Sequence, residues 1–171
     1  SKLEGVCRWL EDALGRYAES SGRPRPSFVN AGDGKHEHPT QEFLDEYSFL
    51  EHMGGRDERI HIALTGDLYH GRTVHSKADG LKLFREVEVD FVAPEILGMP
   101  PHYAQRMRDN GFRTNSYESI DEYLASGKVA PIWYFTRLQL ERMGESVLEK
   151  AQTLRKAVTF RKDMLGLLPE G

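Results

Sequence analysis

The chain has a single cysteine, Cys7, among its 171 residues, so it can form neither an internal disulfide nor a thiolate metal cluster, which fits a reducing compartment. Cys7 lies on the apolar face of a helical pattern, where a buried small residue is expected rather than a nucleophile. No apolar run approaches the length needed to cross a bilayer. No charged-then-apolar leader opens the chain, so a cytoplasmic protein is expected. A basic excess is also missing: the net charge is −4, which argues against a general nucleic-acid binder, although local arginines can still hold small anions. The first residue is Ser1 rather than methionine, marking a cut, a processed end or an engineered boundary. What remains is ordinary, with 39% apolar and 29% charged residues and enough length for one domain with its own core.

Leu3, Val6, Cys7, Leu10, Ala13, Leu14 and Tyr17 recur at helical spacing and predict a first helix. "ESSGRPRP" breaks it, and "SFVN" begins a short extended segment. Phe43, Leu44, Tyr47 and Leu50 predict a second helix that Gly54-Gly55 ends. "RIHIALTGD" alternates as a strand, a helix follows from about Thr73 to Phe84, and "VEVDFVAPE" is the next strand. Pro101 to Asn110 is helical with Gly111 as its stop, and Ser119 with Glu122 forms a capping box for Ile120 to Leu124. "APIWYFTR" is a buried strand, and in the charged remainder "KAVTF" is expected as the last one. Strands alternating with helices predict an α/β fold, a three-layer sandwich of a parallel sheet flanked by helices. Ligands then collect at the carboxyl ends of the strands.

Three motifs fall at such ends. In "NAGDGKHEHPTQ", Pro39 suits a first helical position and puts His38 at or next to the cap, with Gln41 over the same face. A neutral histidine beside an amide matches a carbonyl flanked by an NH2 group. The same residues can be a glycine-rich turn and helix cap, or a His36–His38 metal pair, although no further histidine pair or cysteine cluster completes a zinc site. In "GDLYHGRT" the glycine spacing is that of a phosphate loop, but Arg72 stands where lysine is needed and Asp67 would repel phosphate. Arg72 at a helix mouth can hold a carboxylate or pair with an acidic neighbour. In "TRLQLER", Arg137 and Gln139 leave one face of a strand, and Glu141 with Arg142 is expected as a structural ion pair.

In this order and spacing the motifs resemble the aspartate carbamoyltransferases, whose pattern is matched by Asn30 to Gly34, His38 to Gln41, Gly66 to Leu68, Gly71 to Ser76, and Thr136, Arg137, Gln139, Glu141 and Arg142. The resemblance implies transfer of a carbamoyl group from carbamoyl phosphate to L-aspartate in pyrimidine synthesis. It implies that His38 hydrogen-bonds the carbamoyl oxygen and Gln41 holds its nitrogen. Arg72 would take the α-carboxylate of aspartate, and Arg137, oriented by Gln139, the β-carboxylate. No metal, cofactor or covalent intermediate is implied; a homotrimer of complete catalytic chains and regulatory chains are.

Two family stretches are missing, the phosphate-gripping Ser-Thr-Arg-Thr and a downstream His-Pro-Leu-Pro, and Leu140 stands where the family often has lysine. Residues 1–171 are therefore expected to be an incomplete aspartate-binding domain, with little activity alone. The alternatives are an ornithine-type enzyme, or a non-catalytic relative kept for assembly or ligand sensing.

Overall fold

The computed structural model describes residues 5–34, 36–139 and 150–168. Alternation in "RIHIALT" puts Ile60, Ile62 and Leu64 on one face of β1 (Arg59–Thr65), and β2 (Glu86–Val92) repeats the pattern with Val87, Val89 and Phe91. The two pair in parallel from Arg59↔Glu86 to Thr65↔Val92, which aligns both apolar rows in one layer. β3 (Arg113–Tyr117) adds outside β2 and β4 (Ile132–Phe135) outside β1, giving a parallel sheet of order β3-β2-β1-β4.

Each face of the sheet needs a cover. One face packs against Val74 and Ala78 of α3 (Arg72–Gly80), Tyr103 and Met107 of α4 (Pro101–Asp109) and Leu154 of α6 (Ala151–Ala157). On the other, Ala63 and Val92 meet Ile120 and Tyr123 of α5 (Ile120–Ala125) and Met164 of a 3-10 turn. The expected three-layer α/β sandwich is thus observed. Among the described residues no helix is long and apolar enough to cross a membrane.

Local signals explain the termini. Ser119 Oγ accepts from the Glu122 N–H at 3.2 Å as a cap should. The returning Glu122 carboxylate takes the N–H of Glu118 rather than that of Ser119. α4 stops at Asn110 and Gly111, whose φ of 84° suits glycine.

Several expectations are corrected. α1 (Val6–Ser21) exists, but its apolar face is not packed: Gly15 and Ala18 are its buried residues, while Trp9 and Tyr17 are 62% and 57% exposed. Cys7 is accordingly half-buried, and its thiol donates to Asn30 Oδ1 at 3.3 Å. "SFVN" forms no strand, because it has no sheet neighbour and Val29 stays exposed. "KAVTF" is not a strand either: Lys156 and Ala157 end α6 and Phe160 meets Trp133 edge-on at 5.6 Å. The helix expected to run to Phe84 ends at Gly80 and tightens into a 3-10 turn over Leu81–Leu83. Strand β3 was not anticipated. Leu140, Glu141 and Arg142 lie outside the described residues.

Candidate active site

Strand order reverses at β1, since β2 and β3 lie on one side of it and β4 on the other. The crevice beyond the carboxyl ends of β1 and β4 is therefore the place where an open α/β sheet binds ligands. Gly66 makes that crevice narrow at its base: its φ is 116°, and a Cβ there would collide with the Thr136 carbonyl. The Thr136 N–H in turn donates to the Thr65 carbonyl at 2.8 Å.

The loop after β1 is organised around Asp67, which is fully buried. Its carboxylate accepts from the His70 N–H at 3.0 Å and from the Gln139 N–H at 3.1 Å, and lies 3.1 Å from His70 Nδ1. A loop whose interior holds a carboxylate cannot cradle phosphate, so the phosphate-loop alternative fails here on geometry. The Gln139 side chain donates to the His70 carbonyl at 2.9 Å. The segment after β4 is thus tied to the loop after β1 through both backbone and side chain.

Between them lies a cleft of about 330 Å³, lined by Arg72, Thr73, Tyr134, Thr136, Arg137 and Gln139 among others. Arg72 is the first residue of α3, so its guanidinium stands beside the positive end of that helix. It packs over Gly32, where a Cβ would come within 2.6 Å of Nη1. Arg72, Arg137 and Gln139, expected from two separate stretches of sequence to serve the carboxylates of one ligand, therefore line one cavity.

His38 and Gln41 do not line that cavity; they stand beside it at the start of α2 (Pro39–His52). His38 is the N-cap, with Pro39 following in the first helical turn as expected. Its Nδ1 accepts from the Gln41 N–H at 3.2 Å and lies 3.3 Å from Thr40 Oγ1. An Nδ1 that accepts leaves the proton on Nε2, so the ring offers one donor outward. Burial first, and then the charge of Arg72, hold the His38 pKa below its usual value of 6.5, which keeps the ring neutral. The His38 N–H donates to Ser76 Oγ at 2.8 Å, and that hydroxyl donates to the Arg72 carbonyl at 3.3 Å, fastening the α2 cap to α3. The Gln41 side-chain Nε2 donates to Asp45 Oδ1 at 3.0 Å, which leaves the amide oxygen for another partner.

His36 takes no part in a metal site among the described residues: it is half-exposed, 3.6 Å from Asp33 and 3.8 Å from Glu37. The group there with metal-ligand spacing is His61, Glu88 and Asp90. Asp90 already accepts from Tyr123 Oη at 2.6 Å and Asn115 Nδ2 at 2.8 Å and lies 2.6 Å from His61 Nε2, which makes it a structural network on the sheet.

Sequence reasoning missed Asp67 and Ser76 as organisers of the site. It also missed His75, whose ring nitrogens lie 2.9 Å from the His36 and Leu68 carbonyls and whose face stacks on Tyr103. The signal for Asp67 was its position in the loop directly after a strand; His75 and Ser76 were visible only as members of the matched stretch Gly71 to Ser76.

No model of a protein family matches this chain. Protein PyrBI of Thermotoga maritima is 61% identical over 171 residues, which is 100% of this chain and 32% of that protein. The aspartate carbamoyltransferase catalytic subunit of Aliivibrio fischeri is 37% identical over 141 residues, covering 82% of this chain and 44% of that subunit. Among solved structures, aspartate transcarbamoylase from Trypanosoma cruzi in complex with N-(phosphonacetyl)-L-aspartic acid matches with a TM-score of 0.73 and 27% identity, over 96% of this chain and 55% of that one. The catalytic subunit of the M. jannaschii aspartate transcarbamoylase matches with a TM-score of 0.70 and 31% identity, over 93% and 52% of the two chains. This chain thus spans between 32% and 55% of the length of these four proteins.

Proposed function

We propose that this chain, whose sequence and fold are those of one part of the aspartate carbamoyltransferases, is the aspartate-binding part of a longer polypeptide that makes N-carbamoyl-L-aspartate and phosphate from carbamoyl phosphate and L-aspartate. The observation that carries this reading is the cleft shared by Arg72, Arg137 and Gln139 at the β1–β4 crevice. Two guanidinium groups on one small cavity suit a ligand with two carboxylates, and each can bind bidentately. A diamino acid such as ornithine would bring a cation to the same place.

In this mechanism His38 Nε2–H donates to the carbamoyl oxygen and stabilises the charge that develops there as the amine attacks. Gln41 accepts from the carbamoyl NH2 through its amide oxygen. Arg72 takes the α-carboxylate of aspartate and Arg137 the β-carboxylate, with Gln139 holding the segment that carries Arg137. No covalent intermediate is formed, and the rate arises from alignment of two substrates and a prepared hydrogen-bond donor. The phosphate is gripped by residues outside this chain, so the chain alone has little or no activity. The exposed apolar residues Trp9 and Tyr17 of α1 and Phe43, Leu44 and Tyr47 of α2 support a site for the remaining polypeptide there. Assembly as a homotrimer of cytoplasmic catalytic chains with regulatory chains belongs to the same reading.

The test is carbamoyl transfer by the complete polypeptide to L-aspartate and to L-ornithine. Transfer to aspartate alone is expected. Transfer to ornithine would overturn the substrate assignment, and transfer to neither would leave a non-catalytic scaffold.

A further inference from the structure

Lys77 is fully buried on α3 at 0% exposure, and none of the chemistry above uses it. A buried ammonium persists only when it is paired, because its desolvation is costly. Its partners are on α2: Nζ lies 2.5 Å from Glu42 Oε2 and 2.7 Å from Asp45 Oδ2. The Tyr134 ring of β4 lies beside it, 4.7 Å from Nζ to the centroid.

Asp45 is the junction. One of its oxygens faces Lys77 and the other accepts from Gln41 Nε2 at 3.0 Å. An ionised carboxylate only accepts, so the Gln41 amide cannot turn over without setting its own oxygen against Asp45. Lys77 is the cation that holds the Asp45 carboxylate in place. Without it, Glu42 and Asp45 would face each other with no countercharge, and nothing would hold the Asp45 carboxylate against the Gln41 amide.

We propose that Lys77, acting through Asp45, is a positioning residue that fixes the Gln41 amide with its oxygen outward and so makes the site select a group bearing NH2 over one bearing a methyl. This rests on the carbamoyl reading given above. The specificity of the α2 cap is then set from behind by a residue on α3 that touches no substrate.

Acetyl phosphate, which has a methyl where carbamoyl phosphate has NH2, is the probe. In the complete polypeptide the ratio of the inhibition constant of acetyl phosphate to the KM of carbamoyl phosphate is measured for wild type, Lys77→Met and Asp45→Leu. Asp45→Leu leaves the Lys77–Glu42 pair intact, so it decides alone if Lys77→Met does not fold. Both variants are expected to lower the ratio at least about fivefold, with the whole change in the carbamoyl phosphate KM. A general loosening of the site would move both constants together, and an unchanged ratio in the folded variants overturns the proposal. If wild type transfers no carbamoyl group at all, the function reading fails. The clamp is then judged from the Gln41 side-chain NH2 resonance, which should move in Lys77→Met and refutes the clamp if it stays.

Discussion

Gln139 is joined to Asp67 through its backbone, with its N–H donating to Oδ2 at 3.1 Å across the mouth of the sheet. This bond fixes where the chain goes after β4, and Arg137 is carried on that same exit two residues earlier. Asp67→Ala would strip partners from the His70 and Gln139 N–H groups. The expected result is a loss of about 2–3 kcal/mol in denaturant unfolding, together with a rise in the KM of aspartate as Arg137 loses its anchor. Unchanged aspartate kinetics in the folded variant would show that the bond serves stability alone.

Arg137→Ala removes one of the two arginines proposed to hold the carboxylates of aspartate in the cleft. The KM of aspartate should rise on the order of tenfold or more, as expected for a charge-assisted pair of about 1.5–3 kcal/mol. Steady-state kinetics at varied carbamoyl phosphate provide the check, because that KM should stay within about twofold. The opposite pattern would move Arg137 to the other substrate.

His38→Ala should act on turnover. Losing one prepared donor costs roughly 3 kcal/mol of transition-state stabilisation, on the order of a hundredfold in kcat. A variant turning over at the wild-type rate would remove His38 from the mechanism.

The electrostatics of His38 add a pH signature. In the proposed mechanism the neutral ring is the working form, and its pKa is held below 6.5 by burial and by Arg72. Turnover should therefore fall only as pH drops through that lowered value. Arg72→Lys keeps this charge, whereas Arg72→Gln removes it and should move the acid limb upward in pH. A kcat profile identical in the two variants would contradict the coupling.

Glu42 makes stability depend on pH in the opposite sense from an ordinary ion-paired carboxylate. Burial outweighs Lys77 and pushes its pKa up from 4.5 to about 7. A raised carboxyl binds its proton more tightly folded than unfolded, so its contribution is full below about 4.5 and fades as pH rises to about 7. Melting temperatures measured from pH 5 to 8 should decline through that window, and Glu42→Gln should flatten the decline. An equally steep decline in the variant would assign it to another group.

The parts of this structure that sequence reveals are those with a one-sided burial pattern. β1 and β2 announce themselves because Ile60, Ile62, Leu64, Val87 and Val89 alternate toward one core. The His38–Pro39 cap is visible because its chemistry is local. β3 is hidden: "RTNSY" is a polar edge strand held by backbone pairing with β2, which leaves no mark on composition. The face of α1 reads as core in the sequence, yet periodicity reports that a face is apolar and not what covers it. Lys77 looks like any surface lysine, since its partners are 35 and 32 residues away. The arginines of the cleft were legible through their motifs, while the groups that aim the site, Asp67, Ser76 and Asp45, act through contacts that only folding creates.

The strand order also sets when the site comes into being. β1 and β2 close a loop of about 27 residues and β2 and β3 one of about 25, while β4 returns to β1 across about 70 and pairs over four residues rather than seven. The seam beside Arg72 and Arg137 is thus the least local and shortest in the sheet, the one expected to zip last and part first. A dicarboxylate bridging the two arginines would act as a staple on that seam, spending part of its binding energy on holding the sheet shut.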